Sequence, residues 1–186
     1  MDISDALKED VFKTLVIIII PGALAILPFA FYAYYSYPEL KTYIESHLLG
    51  AMFVYAFCSI ATGLVLEDIG SRIEVVYDKI IKRSSPDHST NWQTFLRTNF
   101  KKEPIGTHYL NSIVIRLKFE LSMVASLFSF VIGLILLNVK HNILSTFDFN
   151  TSLSLSAALF IFMTLESYSG ARLLSDLRTN LLSGVN

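Results

Sequence analysis

Four apolar stretches, Leu15 to Ser36, His47 to Leu66, Leu121 to Val139 and Ser152 to Leu165, leave this chain few ways to fold. A bilayer's hydrocarbon core is about 30 Å thick and an α-helix rises about 1.5 Å per residue, so about 20 apolar residues make one crossing. The first three stretches meet that length; the fourth is shorter and rich in serine. Of 186 residues, 53% are hydrophobic, the mean hydropathy is +0.51, and the charged side chains crowd between the apolar runs. The expected fold is all-α: a four-transmembrane-helix membrane protein whose helices extend into a cytoplasmic helical collar.

The first stretch follows Asp2, Asp5, Glu9 and Asp10. It lacks the basic leader and small-residue cleavage pattern of a secretion signal, so it reads as an anchor. The single cysteine, Cys58, excludes an internal disulfide and a multi-cysteine metal site, and is expected to be a small buried hydrophobe.

Charge sets the topology. Lys8, Lys13, Arg72, Lys79, Lys82, Arg83, Arg97, Lys101, Lys102, Arg116, Lys118, Arg172 and Arg178 fall on one side of the crossings, against Lys41 and Lys140 on the other. The positive-inside rule puts both termini and the central segment in the cytoplasm. The outer loops, Tyr37 to Ser46 and Lys140 to Thr151, are short. Tyr32, Tyr34, Tyr35, Tyr37 and Tyr43 gather where the first helix leaves the bilayer and are read as a depth anchor rather than a binding cage.

Five segments follow: an amphipathic N-terminus (1–14), a first transmembrane hairpin (15–67), a cytoplasmic helical region (68–118), a second hairpin (119–168) and an amphipathic tail (169–186). The second helix is expected to run from His47 to Arg83, with Ile69, Ile73, Val76 and Ile80 on one face, unless Gly70 bends it. A short amphipathic helix is expected from Asn91 to Phe100, and apolar faces at Ile113 and Leu117 and at Leu173, Leu174, Leu177 and Leu181. These faces are expected to pack as a collar between subunits.

Leu66, Glu67, Asp68, Ile69, Gly70, Ser71, Arg72 and, later, Leu165, Glu166, Ser167, Tyr168, Ser169, Gly170, Ala171, Arg172 share the order Leu-Glu, spacer, Gly-small-Arg. Glu67, Asp68, Arg72, Arg116, Glu120, Glu166 and Arg172 thus form an expected inner-mouth charge cluster, where an unpaired carboxylate is costly. Structural salt bridges that fix helix depth are its bland reading; a charged ring at a pore mouth is the functional one. Small residues keep to one face on three crossings: Ala56, Ser59, Gly63 and Gly70; Ser122, Ser126, Ser129 and Gly133; Ser152, Ser156, Ser167 and Gly170. Close packing competes with pore lining for these stripes, and the last has the better claim to a wet or buried position. Pro21 and Pro28 lie inside the first crossing, as tolerated prolines or a hinge.

His47, His88, His108 and His141 stand apart, with no metal-ligand spacing, and no Gly-x-Ser-x-Gly elbow, phosphate loop or dinucleotide fingerprint occurs. An enzyme is therefore not expected, nor is a metal or cofactor.

The stretch Gly63-Leu64-Val65-Leu66-Glu67-Asp68-Ile69-Gly70-Ser71-Arg72-Ile73-Glu74 resembles segments of small bacterial membrane proteins. Beyond it, several crossings with a compact cytoplasmic part and no catalytic motif look like the membrane effectors of nucleotide-signalled antiphage systems, such as the Hailong effectors. The resemblance implies a homo-oligomer of the bacterial inner membrane that permeabilises it when triggered. The expected function is a gated pore, the alternative a non-conducting scaffold for a cytoplasmic partner. Expected partners are the lipid bilayer, further copies of the chain and an anionic nucleotide or oligonucleotide on the cytoplasmic side, with Trp92, Arg97, Lys101 and Lys102 as its surface, and no duplex nucleic acid.

Overall fold

A computed structural model describes residues 3–84 and 105–183, with side-chain surroundings for 15–81 and 112–177. Among the described residues the fold is five helices with no strand: α1 (Ile3–Ser36), α2 (Pro38–Ser46), α3 (Leu48–Ser84), α4 (Ile105–His141) and α5 (Thr146–Ser183). Four are long and apolar enough to cross a membrane, over Leu15–Ser36, Leu48–Ile81, Ser112–His141 and Thr146–Leu177. The expected helix from Asn91 to Phe100 and the surface of Trp92, Arg97, Lys101 and Lys102 lie outside the described residues.

The helices outrun the apolar stretches. α3 and α4 have 37 residues each and α5 has 38, against about 20 for one crossing. Segment boundaries at 67/68 and 118/119 thus fall inside unbroken helices, and α3 passes Gly70 without interruption. The fourth apolar stretch, short by itself, is lengthened by helical polar flanks on both sides.

The connection between the first two candidate crossings is itself helical. Tyr37 separates α1 from α2, which has Pro38 in its first turn and no buried residue. A proline at this position gives up only an N–H that a helix start leaves unpaired. The second connection is four residues long. Asn142 takes a left-handed φ of 46° after α4, a conformation asparagine tolerates well, and Asn138 Oδ1 accepts from Leu144 N at 3.3 Å. Ser145 then caps α5, its Oγ accepting from Asp148 N at 3.1 Å and donating to the Asp148 carboxylate at 2.7 Å.

The core joins α1, α3 and α4, and glycines decide how close they come. A Cβ on Gly22 would fall 1.9 Å from the Ser59 carbonyl oxygen, and one on Gly63 would fall 2.0 Å from that of Ile18, so α1 and α3 meet backbone to backbone. On the other side of α1, Gly133 accommodates Phe29 and Pro28. Small residues permit this because lipid offers helices no hydrophobic drive to associate and close packing must supply it. Hydroxyls bridge the same seams: Ser126 donates to the Pro21 carbonyl at 2.6 Å and Tyr55 to that of Ala23 at 2.8 Å. α1 runs helically through Pro21 and Pro28, both buried in this packing.

α5 is the outlier. It packs on α4 and, among the described residues, touches α3 at one end and α1 nowhere. At that end Ile81, Ile113, Leu117, Leu121, Ala171 and Leu174 form a buried cluster, with Ile73, Tyr77 and Tyr168 against it. The α3 face that turns inward shares only Ile73 with the expected one: Ile69, Val76 and Ile80 are exposed, and Leu66, Gly70, Tyr77 and Ile81 turn inward beside Ile73. Tyr77 disguises the stripe, since its hydroxyl needs a partner that only the tertiary structure supplies, Ser167 Oγ at 3.3 Å. Cys58, expected to be buried, is exposed on α3 beside Phe57, because the buried side of that turn is taken by Ser59.

Candidate functional site

Where the three longest helices converge, α4 presents two cations separated by one residue. Positions two apart on a helix point about 200° from each other. Arg116 therefore faces α5 while Lys118 faces α3. Arg116 Nε donates to Glu120, one turn along α4, at 2.7 Å, and its terminal nitrogen reaches Glu166 of α5. Lys118 Nζ meets Glu67 of α3 at 3.1 Å. Glu120 is the buried member, its side chain only 6% exposed, whereas Arg116 is 63% exposed. Removing a carboxylate from water is tolerable here because a guanidinium holds it at hydrogen-bond distance.

The repeated Leu-Glu, Gly-small-Arg element acquires a structural meaning. Each copy sets its glutamate on an α4 cation and its glycine against α4: a Cβ on Gly70 would meet Leu121 at 3.2 Å, and one on Gly170 would meet Leu117 and Glu120 Oε2 at 3.7 Å. The copies dock on opposite flanks of one helix and are not otherwise equivalent, since Leu66 is buried and Leu165 is 63% exposed.

The structure thus brings together Arg116, Glu120 and Glu166, and sets Glu67 apart from them with Lys118 on the opposite flank of α4. Arg72 stays outside, paired with Asp68 on its own helix at 3.1 Å, and both are exposed. Arg172 is exposed as well. Lys118, absent from the expected cluster, replaces Arg72 as the partner of Glu67; its spacing from Arg116 was the available signal. A groove of about 180 Å³ opens over Arg116, Glu120, Glu166 and Gly170 between α4 and α5. Among the described residues no three His, Cys, Asp or Glu side chains gather to hold a metal.

The serine stripe of α5 turns toward α4: Ser156 and Ser167 are buried, Ser152 and Gly170 half-buried. A different flank of α5 is left uncovered, with Asn150, Ser154, Ala157 and Ala158 exposed at helical spacing, Phe147 before them and Ile161 and Leu165 after them on the same flank, and Leu155, Leu159 and Phe162 exposed beside them. α5 is also the least apolar of the four candidate crossings, and its most apolar stretch has the smallest buried share. Sequence could not choose between its two small-residue flanks, because that choice depends on which neighbour covers the helix.

At the opposite end of the molecule the tyrosines meet cations and imidazoles. Lys140 Nζ lies 3.1 Å from Tyr32 Oη, Tyr34 donates to Glu45 at 2.9 Å, and Tyr43 stacks on His47 with ring centres 4.9 Å apart.

The class these features define is a multi-pass, all-helical membrane protein. The chain matches no protein-family model, no curated protein and no solved structure.

Proposed function

We propose that this chain is the subunit of a homo-oligomeric, gated pore that permeabilises the bacterial inner membrane in response to a cytoplasmic signal. The observation that carries this reading is the uncovered flank of α5. Over 150–158 this flank of the least apolar crossing exposes Asn150, Ser154, Ala157 and Ala158, a surface for which lipid is a poor partner, while Phe147, Ile161 and Leu165 on the same flank and the adjoining Leu155, Leu159 and Phe162 are apolar. The interior between α1, α3 and α4 is filled, with Ala25, Ser122 and Ser126 fully buried, so one copy offers no path through its centre. Conduction then runs between copies, with the polar flank of α5 toward a shared axis and its apolar flank toward lipid.

The gate follows from the same asymmetry. α5 leans on α4 and is tied at the basic end by Arg116 to Glu166 and by Tyr77 to Ser167. The excess of Lys and Arg on that side supports a cytoplasmic position for that end, for both termini and for a collar over 68–118. The triggering ligand is an anionic nucleotide or oligonucleotide drawn to the basic central segment, and its binding shifts α5 against α4.

A non-conducting scaffold is the second reading. It is favoured by the pairing of Glu67, Glu120 and Glu166 within one chain, which leaves them less available to line a charged mouth. Planar-bilayer recording of the purified chain separates the two. Discrete conductance steps that grow with protein concentration support the pore; a silent bilayer with demonstrated incorporation, with and without added nucleotides, overturns it.

A further inference from the structure

At the end of the molecule away from Arg116, α1 and the start of α5 diverge over α4 and leave a groove of about 260 Å³. Leu134 and Leu137 of α4 form its floor, Leu27 and Phe31 of α1 one wall, and Ile143 and Leu144 the other. All but the last two lie in candidate crossings, so the groove opens at membrane depth onto hydrocarbon, not water.

Its mouth is basic. One turn beyond Leu137, α4 ends in Lys140 and His141. The His141 ring lies 6.1 Å from that of Tyr35, which itself lines the groove, and Nε2 of His141 is 2.9 Å from Ser36 Oγ. Lys140 is exposed and held beside the Tyr32 hydroxyl at 3.1 Å, and no carboxylate among the described residues lies within ion-pair distance of it. Lys41, the other cation at this end, faces Glu45 at 4.0 Å. Lys140, one turn beyond the groove residue Leu137, is thus the cation at this end without a carboxylate in reach among the described residues.

We propose that this groove is a binding site for an anionic phospholipid, one acyl chain lying along Leu134 and Leu137 and the phosphate held by Lys140 and His141, with the Tyr32 hydroxyl beside them. An apolar slot followed, one helical turn on, by an exposed cation matches the order of hydrocarbon and charge in a lipid. A helix from a second copy fits less well. Of the acids at this end, Glu45 is engaged by Tyr34 and Lys41 and Asp148 by the Ser145 cap, leaving only Glu39 to bring as a counter-charge. The site is independent of whether the chain conducts.

Native mass spectrometry of the full chain in detergent, titrated with phosphatidylglycerol and with phosphatidylcholine of the same acyl chains, tests it. Phosphatidylglycerol is expected to be retained about fivefold or more over phosphatidylcholine, the effect of one or two interfacial basic residues. The double substitution Lys140→Ala with His141→Ala abolishes that preference, Lys140→Arg keeps it, and Lys41→Ala leaves it unchanged. Leu134→Trp, which fills the slot, lowers retention of both lipids. Equal retention of the two lipids by the unaltered chain, or a preference that survives loss of Lys140 and His141, overturns the proposal. So does efficient dimer cross-linking in bicelles through Leu134→Cys in a Cys58→Ser background, which would give the groove to a second copy.

Discussion

Arg116 of α4 carries Glu166 of α5 on the same guanidinium that holds Glu120 of its own helix, while Lys118 turns to the opposite flank and holds Glu67 of α3. One helix therefore offers a cation to each of α3 and α5, and both are fixed in depth against it. The arrangement explains how three carboxylates can lie where the crossings meet the basic end without standing unpaired, which would be expensive.

The two cations are not of equal weight. Arg116→Gln leaves Glu120, 6% exposed, without its cation and is expected to lower stability by about 1–3 kcal/mol, below the cost for a fully buried pair because the guanidinium is 63% exposed. Lys118→Gln, between partners 46% and 30% exposed, should cost less than about 1 kcal/mol. In a Glu120→Gln background the Arg116→Gln loss should shrink. Thermal unfolding in detergent reads all three, and equal losses at 116 and 118 would refute the ranking.

Gly22 and Gly63 are predicted to be the least replaceable small residues. Alanine at either puts a Cβ about 2 Å from a backbone oxygen of the facing helix, which cannot move aside as a side chain can. Either substitution should cost at least about 2 kcal/mol or prevent folding. Gly50→Ala, whose nearest neighbour would be Tyr43 Oη at 3.7 Å, should be nearly neutral. Expression level and monodispersity after solubilisation distinguish these cases.

Much of the fold is legible in the sequence because membrane crossing has a length and a composition: the stretches around Phe29, Phe57 and Phe130 display both, and the one around Leu159 reaches the length only with its helical flanks. What local pattern cannot supply is partner choice. α2 is hidden because its Pro38 start and polar run resemble a loop, and nothing buries it. Ile69, Val76 and Ile80 look like the packing face of α3, yet the actual face passes through Gly70 and Tyr77, a small and a polar residue that apolar periodicity discounts. In the charge cluster the acids at 67, 120 and 166 were readable from their depth, and the i,i+4 pair of Asp68 with Arg72 from its spacing. The cross-helix matches, Lys118 with Glu67 and Arg116 with Glu166, require knowing that α4 lies between α3 and α5.

Ser126 is expected to act as a polar link with a modest return. Its hydroxyl donates to the Pro21 carbonyl at 2.6 Å, and Ser126→Ala should cost about 0.5–1.5 kcal/mol, the range for hydrogen bonds between membrane helices. Ser126→Leu, which forces a large side chain into a fully buried site, should cost more, by overpacking. Denaturant titration in mixed micelles measures the pair, and a Ser126→Leu variant as stable as Ser126→Ala would show that the α1–α4 seam is looser than described.

The account turns on which flank of α5 meets water in the assembled protein. In a Cys58→Ser background, needed because Cys58 is exposed, cysteine is placed at Ser154 or at Leu155 and single-channel current is recorded before and after a charged thiol reagent. The predicted result is a conductance cut by modification at 154 and unchanged at 155. Current altered through 155 but untouched through 154, or no current from either protein despite incorporation, would contradict it.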